Sequence, residues 1–211
     1  MSIATLQKRT RLRHTEPMAS TATKLEPKGR LSAVDWEEAA LATLAESGLG
    51  TVAVESLARR LGVTKGSFYW HFATREALIK AALERWEKSD EDIVVAQLDA
   101  IADPRERLRE LFKRVSREMP SHVIYAALMQ SLDHPLVQPV MARVSQRRLD
   151  VLTLAYRQAG LDRQQAQHRA RLAYSAYTGF LQLMLQLGLP RLSHDDFEAY
   201  VDHVIATLVP A

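Results

Sequence analysis

The chain has 211 residues, of which 47% are hydrophobic and 25% are charged, and its formal net charge is +3. This length and composition allow a sizeable core, organised as one large or two small domains. Cysteine is absent, which excludes a disulfide framework and any thiolate site for zinc or for nucleophilic catalysis.

No apolar run approaches the roughly 20 residues that a helix needs to span a bilayer. The first residues, MSIATLQKRTRLRH, lack the apolar stretch followed by small residues that is typical of a secretory signal. We therefore expect a cytoplasmic protein with no membrane partner.

The positive charge is concentrated at the N-terminus. Residues 1–30 carry seven Lys or Arg side chains against two Glu side chains, and they show no sustained hydrophobic period. Arms of this kind lie on nucleic acid or on anionic membrane, or they are simply solvated tails. We predict a flexible basic arm over residues 1–30 and leave open whether it contacts DNA.

From residue 31 onward the hydrophobic period is helical, without a convincing alternating strand, and Gly and Pro separate the periodic segments. Capping patterns mark four helix starts, at Ser32, Asp103, Asp162 and Ser193. Because Pro139 would clash inside a helix that began at Pro135, we expect a break there and a new start near Pro139. The result is an all-α fold with about nine helices, at 33–47, 54–61, 65–71, 75–100, 104–118, 121–131, 138–159, 163–187 and 194–208.

The second and third helices follow each other across a tight turn. The sequence VESLARRL, residues 54–61, forms an amphipathic helix, and Gly62 and Val63 lead into Thr64 as the N-cap of a short third helix. Two short helices joined by a glycine-containing turn are typical of a helix-turn-helix.

The third helix contains the segment KGSFYWHF, residues 65–72. Phe68 and Phe72 are four positions apart, so they share one face and are expected to pack inward. The remaining rows present Lys65, Gly66, Ser67, Tyr69, Trp70 and His71 outward. Such a row suits the major groove of DNA, although a buried aromatic cluster in a helical bundle is the alternative.

The segment GLGTVAVESLARRLGVTKGSFYWHFATREALIKAAL, residues 48–83, strongly resembles the DNA-binding domain of TetR-family transcriptional regulators. The resemblance is sharp over residues 31–83. It implies a helix-turn-helix domain over 31–76 and an effector-binding and dimerisation domain over 77–211. It also implies a homodimer that binds a palindromic operator in double-stranded DNA and is released by a small-molecule effector. Because most members of the family repress, it implies a repressor.

The resemblance assigns a DNA-binding role to particular side chains. These are Thr64, Lys65, Ser67, Tyr69, Trp70 and His71, with Arg75 at a phosphate-contacting position and Thr51 as a further contact. Gly66 joins this set because it lets the backbone approach DNA closely. One departure stands out, because family members usually cap the second helix with Ser or Thr and this chain has Ala53. Either Thr51 supplies the cap or Gly50 shifts the helix entry, and Glu55 nearby would repel a phosphate.

The second half of the eighth helix is apolar nearly all round, so it must be covered on every side, either inside one chain or by a partner chain. Together with the ninth helix it predicts an isologous dimer interface. The predicted interface residues are Phe180, Leu181, Met184, Tyr200, Val204 and Leu208.

The effector is expected to be apolar or aromatic, because Met and aromatic side chains are frequent in helices four to eight. The predicted pocket residues are Trp86, Tyr125, Met129, Met141, Tyr156, His168, Tyr174 and Tyr177, with Phe112, Met119, His122, His134 and Met184 as further candidates. Each of these residues has core packing as its alternative role.

No nucleophile elbow, P-loop, dinucleotide fingerprint or zinc-protease motif occurs, and the seven histidines are scattered. We therefore expect no catalytic residues, no metal site and no cofactor. The alternatives to a repressor are an activator and a helical ligand-binding or interaction protein that does not repress.

Overall fold

The computed structural model describes residues 31–95, 101–117, 119–188 and 192–210, except for the side chains of 91–95 and 119–120. The predicted arm over residues 1–30 lies outside these ranges. The described residues form helices and turns without a strand, so the predicted all-α fold is confirmed. The helices are α1 (Ala33–Ser47), α2 (Val54–Leu61), α3 (Lys65–Phe68), α4 (Arg75–Val95), α5 (Pro104–Arg117), α6 (Met119–Met129), α7 (Val137–Gln158), α8 (Arg163–Leu181) and α9 (His194–Leu208). A 3₁₀ turn, Leu49–Thr51, follows α1, and a π-helical turn, Gln182–Gln186, continues α8.

The four predicted helix starts are confirmed, because a short polar side chain accepts a backbone N–H at each of them. Ser32 and Asp35 form a reciprocal capping box, and Asp162 accepts from the backbone of Gln165 at 2.8 Å. Ser193 does the same for α9, and Asp103 Oδ1 accepts the N–H of Arg105 at 2.9 Å.

Several boundaries differ from the prediction by a few residues, and three of them are informative. The regular part of α3 ends at Phe68, and turns continue through His71. Helix α6 starts at Met119 rather than at 121. Helix α7 starts at Val137, one residue before the predicted 138, because a proline is tolerated in the first helical turn, where its missing N–H has no intrahelical partner. The predicted end of the fourth helix, residues 96–100, lies outside the described residues.

One hydrophobic core joins the N-terminal helices to the rest of the protein. It runs from Trp36 in α1 through Phe68 and α4 to Tyr125 in α6 and Val144 in α7. Helix α1 packs against both α4 and α6. A buried core therefore crosses the predicted boundary at 76/77, and α4 belongs structurally to both sides of it.

A second core fills the space between α5, α7, α8 and α9. Helix α8 contributes the small side chains of Ala166, Ala170 and Ala173, which lie on one face at helical spacing. Small side chains let helix axes approach closely, so α7 and α8 pack along much of their length.

Candidate DNA-binding surface and ligand cavity

The turn between α2 and α3 depends on Gly62. Its φ of 71° and ψ of 32° lie in the left-handed region, which side chains with a Cβ adopt only at a cost. The N–H of Val63 bonds the carbonyl of Ala58 at 3.0 Å, and that of Gly62 bonds Arg59 at 3.2 Å. These two bonds form a Schellman motif that ends α2 and directs the chain into α3.

Two phenylalanines form the inward side of α3 and of the turns that follow it, as predicted. Phe68 is fully buried and Phe72 is 8% exposed. The Phe68 ring packs edge-on against Trp36 of α1 at 5.4 Å between centroids, and the N–H of Phe72 bonds the Phe68 carbonyl at 3.0 Å. The orientation of α3 is therefore set by buried aromatic contacts.

The opposite side of α3 presents polar and aromatic side chains to solvent. Trp70 is 79% exposed and Tyr69 is 56% exposed, although large aromatic side chains are usually buried. Thr64, Lys65 and Gly66 are exposed, while Ser67 and His71 are half-buried. The structure thus places all seven predicted DNA-contacting residues of this segment on or beside one exposed surface, which we call the α3 surface.

Lys65 forms an ion pair with Glu55 of α2, and the two side chains are 50% and 58% exposed. The hydrogen bond from Lys65 holds the pKa of Glu55 below its usual value and raises the pKa of Lys65. The lysine thereby neutralises the carboxylate that would otherwise repel a phosphate at the start of α2.

Arg75, at the start of α4, uses its guanidinium for hydrogen bonds within the protein. Its Nε donates to the carbonyl of Val52 at 2.5 Å and its Nη2 donates to the carbonyl of Leu49 at 3.0 Å. The side chain is half-buried, and its Nη1 lies 3.5 Å from Glu76. Arg75 therefore anchors α4 to the 3₁₀ turn, and its contact with a phosphate stays a prediction.

Thr51 does not cap α2. Its hydroxyl donates to the carbonyl of Gly48 at 2.8 Å, and the N-cap position is held by Ala53, which makes no side-chain bond. Thr64 occupies the N-cap position of α3 in extended backbone geometry, but its hydroxyl makes no capping bond either. Among the described residues, both helix starts on this surface are therefore left without a side-chain cap, and both threonine hydroxyls remain on the exposed side.

A cavity of about 180 Å³ lies where the two hydrophobic cores meet, between α5, α6, α7, α8 and α9. Its wall is mostly apolar and rich in aromatic rings, namely Phe112, Tyr174, Tyr177, Phe180, Phe197 and Tyr200. The π-helical turn after α8 contributes Met184 and Leu185. Such turns recur at functional sites, because they displace side chains from the regular helical positions.

The polar part of the cavity wall is centred on Arg148 of α7. Its Nη2 and Nε donate to the two carboxylate oxygens of Asp90 in α4, at 2.5 and 3.4 Å, and both side chains are largely buried. The guanidinium carbon lies 4.7 Å from the ring centre of Tyr125 and 5.5 Å from that of Tyr177. Burial opposes the charged form of Arg148, but Asp90 and the tyrosine rings stabilise it, so its pKa is raised.

A hydrogen-bonded chain of hydroxyls supports this ion pair. Tyr174 donates to Ser145 at 2.9 Å, and Tyr125 donates to Tyr174 at 2.7 Å, because Tyr174 has only one hydrogen to give. His122 is 5% exposed and lies edge-on to Tyr177. Burial lowers the pKa of His122, with Arg148 adding to the effect and a bond to the Val115 backbone opposing it.

A second ion-pair group links α4 to α7 beside the cavity. Glu87 accepts from Nε and Nη2 of Arg143, at 2.9 and 2.6 Å, and from Arg147 at 3.0 Å. The hydrogen bond from Arg143 holds the pKa of Glu87 below its usual value. The helix that starts beside the α3 surface is therefore attached by two carboxylates to the helix that lines the cavity.

Of the eight predicted effector-pocket residues, Tyr174 and Tyr177 line the cavity. Phe112, His122 and Met184, from the wider set, also line it. Trp86, Tyr125, Met141 and Tyr156 are core side chains, Met129 is half-buried against the first core, and His168 is exposed; none of these six lines the cavity. Periodicity marks a side chain as inward-facing but cannot distinguish packed core from cavity wall, because that depends on which helices meet.

Asp90 and Arg148 were not predicted, although the sequence contains a signal for both. Arg148 lies four residues after Val144 and four before Leu152, in the middle of the apolar stripe of α7. Asp90 continues a stripe that includes Leu83 in the same way. A charge at an apolar-stripe position predicts a buried ion pair or a binding site.

The predicted dimer residues divide into two groups. Phe180, Met184, Tyr200 and Val204 line the cavity, whereas Leu181 and Leu208 are 4% and 5% exposed inside the protomer. The exposed apolar surface of α8 and its extension is formed instead by Leu172, Leu183 and Leu187, which are 57%, 45% and 68% exposed. The most exposed apolar side chains of this helix are therefore different residues from the predicted interface set.

The α2–turn–α3 arrangement and the all-α fold with a cavity are the features expected of a DNA-binding regulator. Residues 38–82 match the family model described as bacterial regulatory proteins, tetR family. Over this segment the chain resembles the TetR family of transcriptional regulators.

Three relatives illustrate the likeness. The HTH-type transcriptional regulator SrpR of Pseudomonas putida is 28% identical over 136 residues, which cover 58% of each chain, so the match spans little more than half of that relative. A putative transcriptional regulator from Saccharomonospora viridis, solved in complex with choline, has a TM-score of 0.71 at 21% identity over 82% of this chain and 95% of that one. SmeT, the repressor of the Stenotrophomonas maltophilia multidrug efflux pump SmeDEF, has a TM-score of 0.63 at 21% identity over 86% and 92%. These two structures share the fold.

The named relatives are regulators, which agrees with the prediction of a protein that is not an enzyme. Among the described helices, none combines the length and the apolar character needed to cross a bilayer.

Proposed function

We propose that this protein is a cytoplasmic, ligand-responsive repressor that binds a palindromic operator as a homodimer and leaves it when a small molecule enters the cavity. The observation that carries the proposal is the α3 surface, on which Tyr69 and Trp70 are exposed beside Lys65. On the opposite side, Phe68 is buried against Trp36. Exposed aromatic rings next to a cation suit sugar, base and phosphate contacts in a major groove.

The cavity and its link to α4 support the ligand-responsive part. Helix α4 begins at Arg75, which is bonded to the turn before α2, and it reaches the cavity at Asp90. A ligand that binds two positions of α4 with different affinity changes the populations of those positions, and with them the placement of the α3 surfaces in a dimer. The repressor SmeT and the choline-bound regulator, which share the fold, are consistent with this function.

The outer leucines of α8 support the homodimer. Gly179 lies between Leu172 and Leu183, and a Cβ built on it meets nothing within 4 Å. A glycine inside a helix costs stability, and no contact within the described part of the protomer requires one here. A second copy of α8 packed across this glycine would explain it.

DNA fragments from around the protein's own gene provide the test. In fluorescence anisotropy at moderate salt, at least one fragment should bind more tightly than random competitor DNA, and Lys65→Ala and Tyr69→Ala should each weaken it. Lys88→Ala, an equal charge change at an exposed position further along α4, is the matched control and should bind like the parent. Lys65→Ala should also lower the slope of log affinity against log salt by about one if the lysine reaches a phosphate.

A transcriptional reporter tests the direction of regulation. Repression predicts that loss of the protein raises transcription from the bound promoter, whereas an activator would lower it. If no fragment is preferred over random DNA, the DNA-binding proposal is wrong and a helical ligand-binding protein remains.

A further inference from the structure

The polar part of the cavity wall offers one positive charge, on Arg148, and several hydroxyl groups. Arg148 donates to Asp90 through Nε and Nη2 and also interacts with the Tyr177 hydroxyl, so part of its five N–H groups is left for a ligand. The hydroxyls of Ser121 and Tyr200, which line the cavity, make no hydrogen bond with the described residues. Asp90 is the only carboxylate among the described lining residues, and it is already paired with Arg148.

The charge of Arg148 discriminates between ligand types. A cationic ligand that paired with Asp90 would lie next to the guanidinium, which stays beside the Tyr125 and Tyr177 rings, at a distance where like charges repel. A neutral hydrocarbon would leave the donors unpaired in a dry site, which costs free energy. A carboxylate ligand meets a planar guanidinium that binds carboxylates through two parallel bonds, with further hydroxyl donors in the same wall.

From this geometry we propose that the cavity binds an apolar molecule with a single carboxylate, which takes the place of Asp90 on Arg148. The apolar body lies against the aromatic wall formed by Phe112, Phe180 and Phe197, and the carboxylate lies at the α7 side. The inference rests on the proposed function, because it treats this cavity as the effector site. Binding would also loosen the attachment of α4 to α7, since Asp90 and Glu87 are the two carboxylates that pair these helices in the described residues.

The test measures ligand binding without DNA, by calorimetry and by thermal shift. The probes are octanoate, 1-octanol and octylamine, together with 3-phenylpropanoate, 3-phenylpropanol and 3-phenylpropylamine, so that each body carries each head group. The proposal predicts that at least one carboxylate binds at least tenfold more tightly than its matched alcohol and amine. Binding by none of the six, or tighter binding by the amines, overturns it.

Two variants separate the head-group contact from general packing. Asp90→Asn removes the internal competitor for Arg148, so carboxylate binding should tighten about tenfold or more while alcohol binding stays the same. Because this variant leaves a buried guanidinium without its counter-ion, it should be less stable alone and should gain a larger thermal shift from the carboxylate than the parent does. If Asp90→Asn weakens carboxylate binding, Asp90 is not the competitor and the proposed exchange is wrong.

The double variant Arg148→Gln with Asp90→Asn keeps a hydrogen-bonding pair of similar size without either charge. It should lose the preference for carboxylate over alcohol and still bind the alcohol. A double variant that keeps the carboxylate preference places the head group elsewhere and overturns the proposal.

A DNA-release measurement with the same carboxylates distinguishes failure of this inference from failure of the proposed function. If the carboxylates bind as expected but do not release the DNA complex, the site is correct and its role as effector site is wrong. If DNA binds specifically and no carboxylate enters the cavity, the repressor proposal stands and this inference fails.

Discussion

At the scale of single residues, Gly66 is a glycine that no contact within the described part of the protomer requires. It lies on the exposed side of α3, and a Cβ built on it comes no closer to another atom than 3.7 Å, from Thr64 Oγ1. Its φ is not in the positive region, so neither space nor backbone strain in the protomer requires glycine. The proposed DNA contact offers a reason for glycine here, namely close approach by another molecule.

Gly66→Ala should therefore fold normally and bind DNA poorly. Alanine has the higher helix propensity by about 0.5–1 kcal/mol, so thermal melting followed by circular dichroism should show an unchanged or slightly higher midpoint. Affinity for the preferred DNA fragment should fall on the order of tenfold, equivalent to about 1.4 kcal/mol. Unchanged affinity in anisotropy titrations would show that DNA does not approach this backbone.

Arg75 has a structural role that the family pattern did not indicate, because that pattern assigns it only a phosphate contact. Because it donates to two backbone carbonyls between α1 and α2, Arg75→Ala should lower the free energy of unfolding by about 1–3 kcal/mol. Urea denaturation measures this loss. Arg60→Ala, which removes an exposed guanidinium paired with Glu46, is the control and should have a smaller effect. A loss no larger than that of the control would contradict the anchoring role.

At the scale of elements, helix α6 brings a titratable group into the cavity wall. His122 is buried, and burial lowers its pKa below that of the same group in the unfolded chain. The folded state therefore binds fewer protons than the unfolded state between the two pKa values. Stability from this group is fully present above the unfolded pKa of about 6.5 and is lost as the pH falls below it.

The parent protein should accordingly lose more stability between pH 7.5 and pH 5.5 than His122→Gln does. Urea denaturation of both proteins at the two pH values gives the comparison, and the other six histidines cancel because both proteins contain them. An equal loss in the two proteins would mean that His122 becomes protonated in the folded state as readily as in the unfolded chain.

At the scale of the whole molecule, the exposed leucines of α8 identify the surface that a second copy would cover. Leu183→Glu places a charge on that surface, so the proposed dimer should become a monomer in light scattering coupled to size exclusion. Leu154→Glu, at an exposed leucine of α7, is the matched control and should leave the mass unchanged. A dimer that persists in Leu183→Glu would place the interface elsewhere. Leu181 is unsuitable for this test, because a glutamate there would disturb the protomer core.

The sequence by itself determined the helical elements, their caps and the two faces of α3. These features depend on interactions within a few residues: a side-chain oxygen and an N–H one turn away, or the four-residue spacing of Phe68 and Phe72. The tertiary structure decided which inward-facing side chains line a cavity and which are packed solid. It also decided that Arg75 bonds carbonyls more than 20 residues away and that Asp90 meets Arg148 across 58 residues. Such contacts depend on how whole helices pack, and a periodic pattern contains no information about which face of one helix meets which face of another.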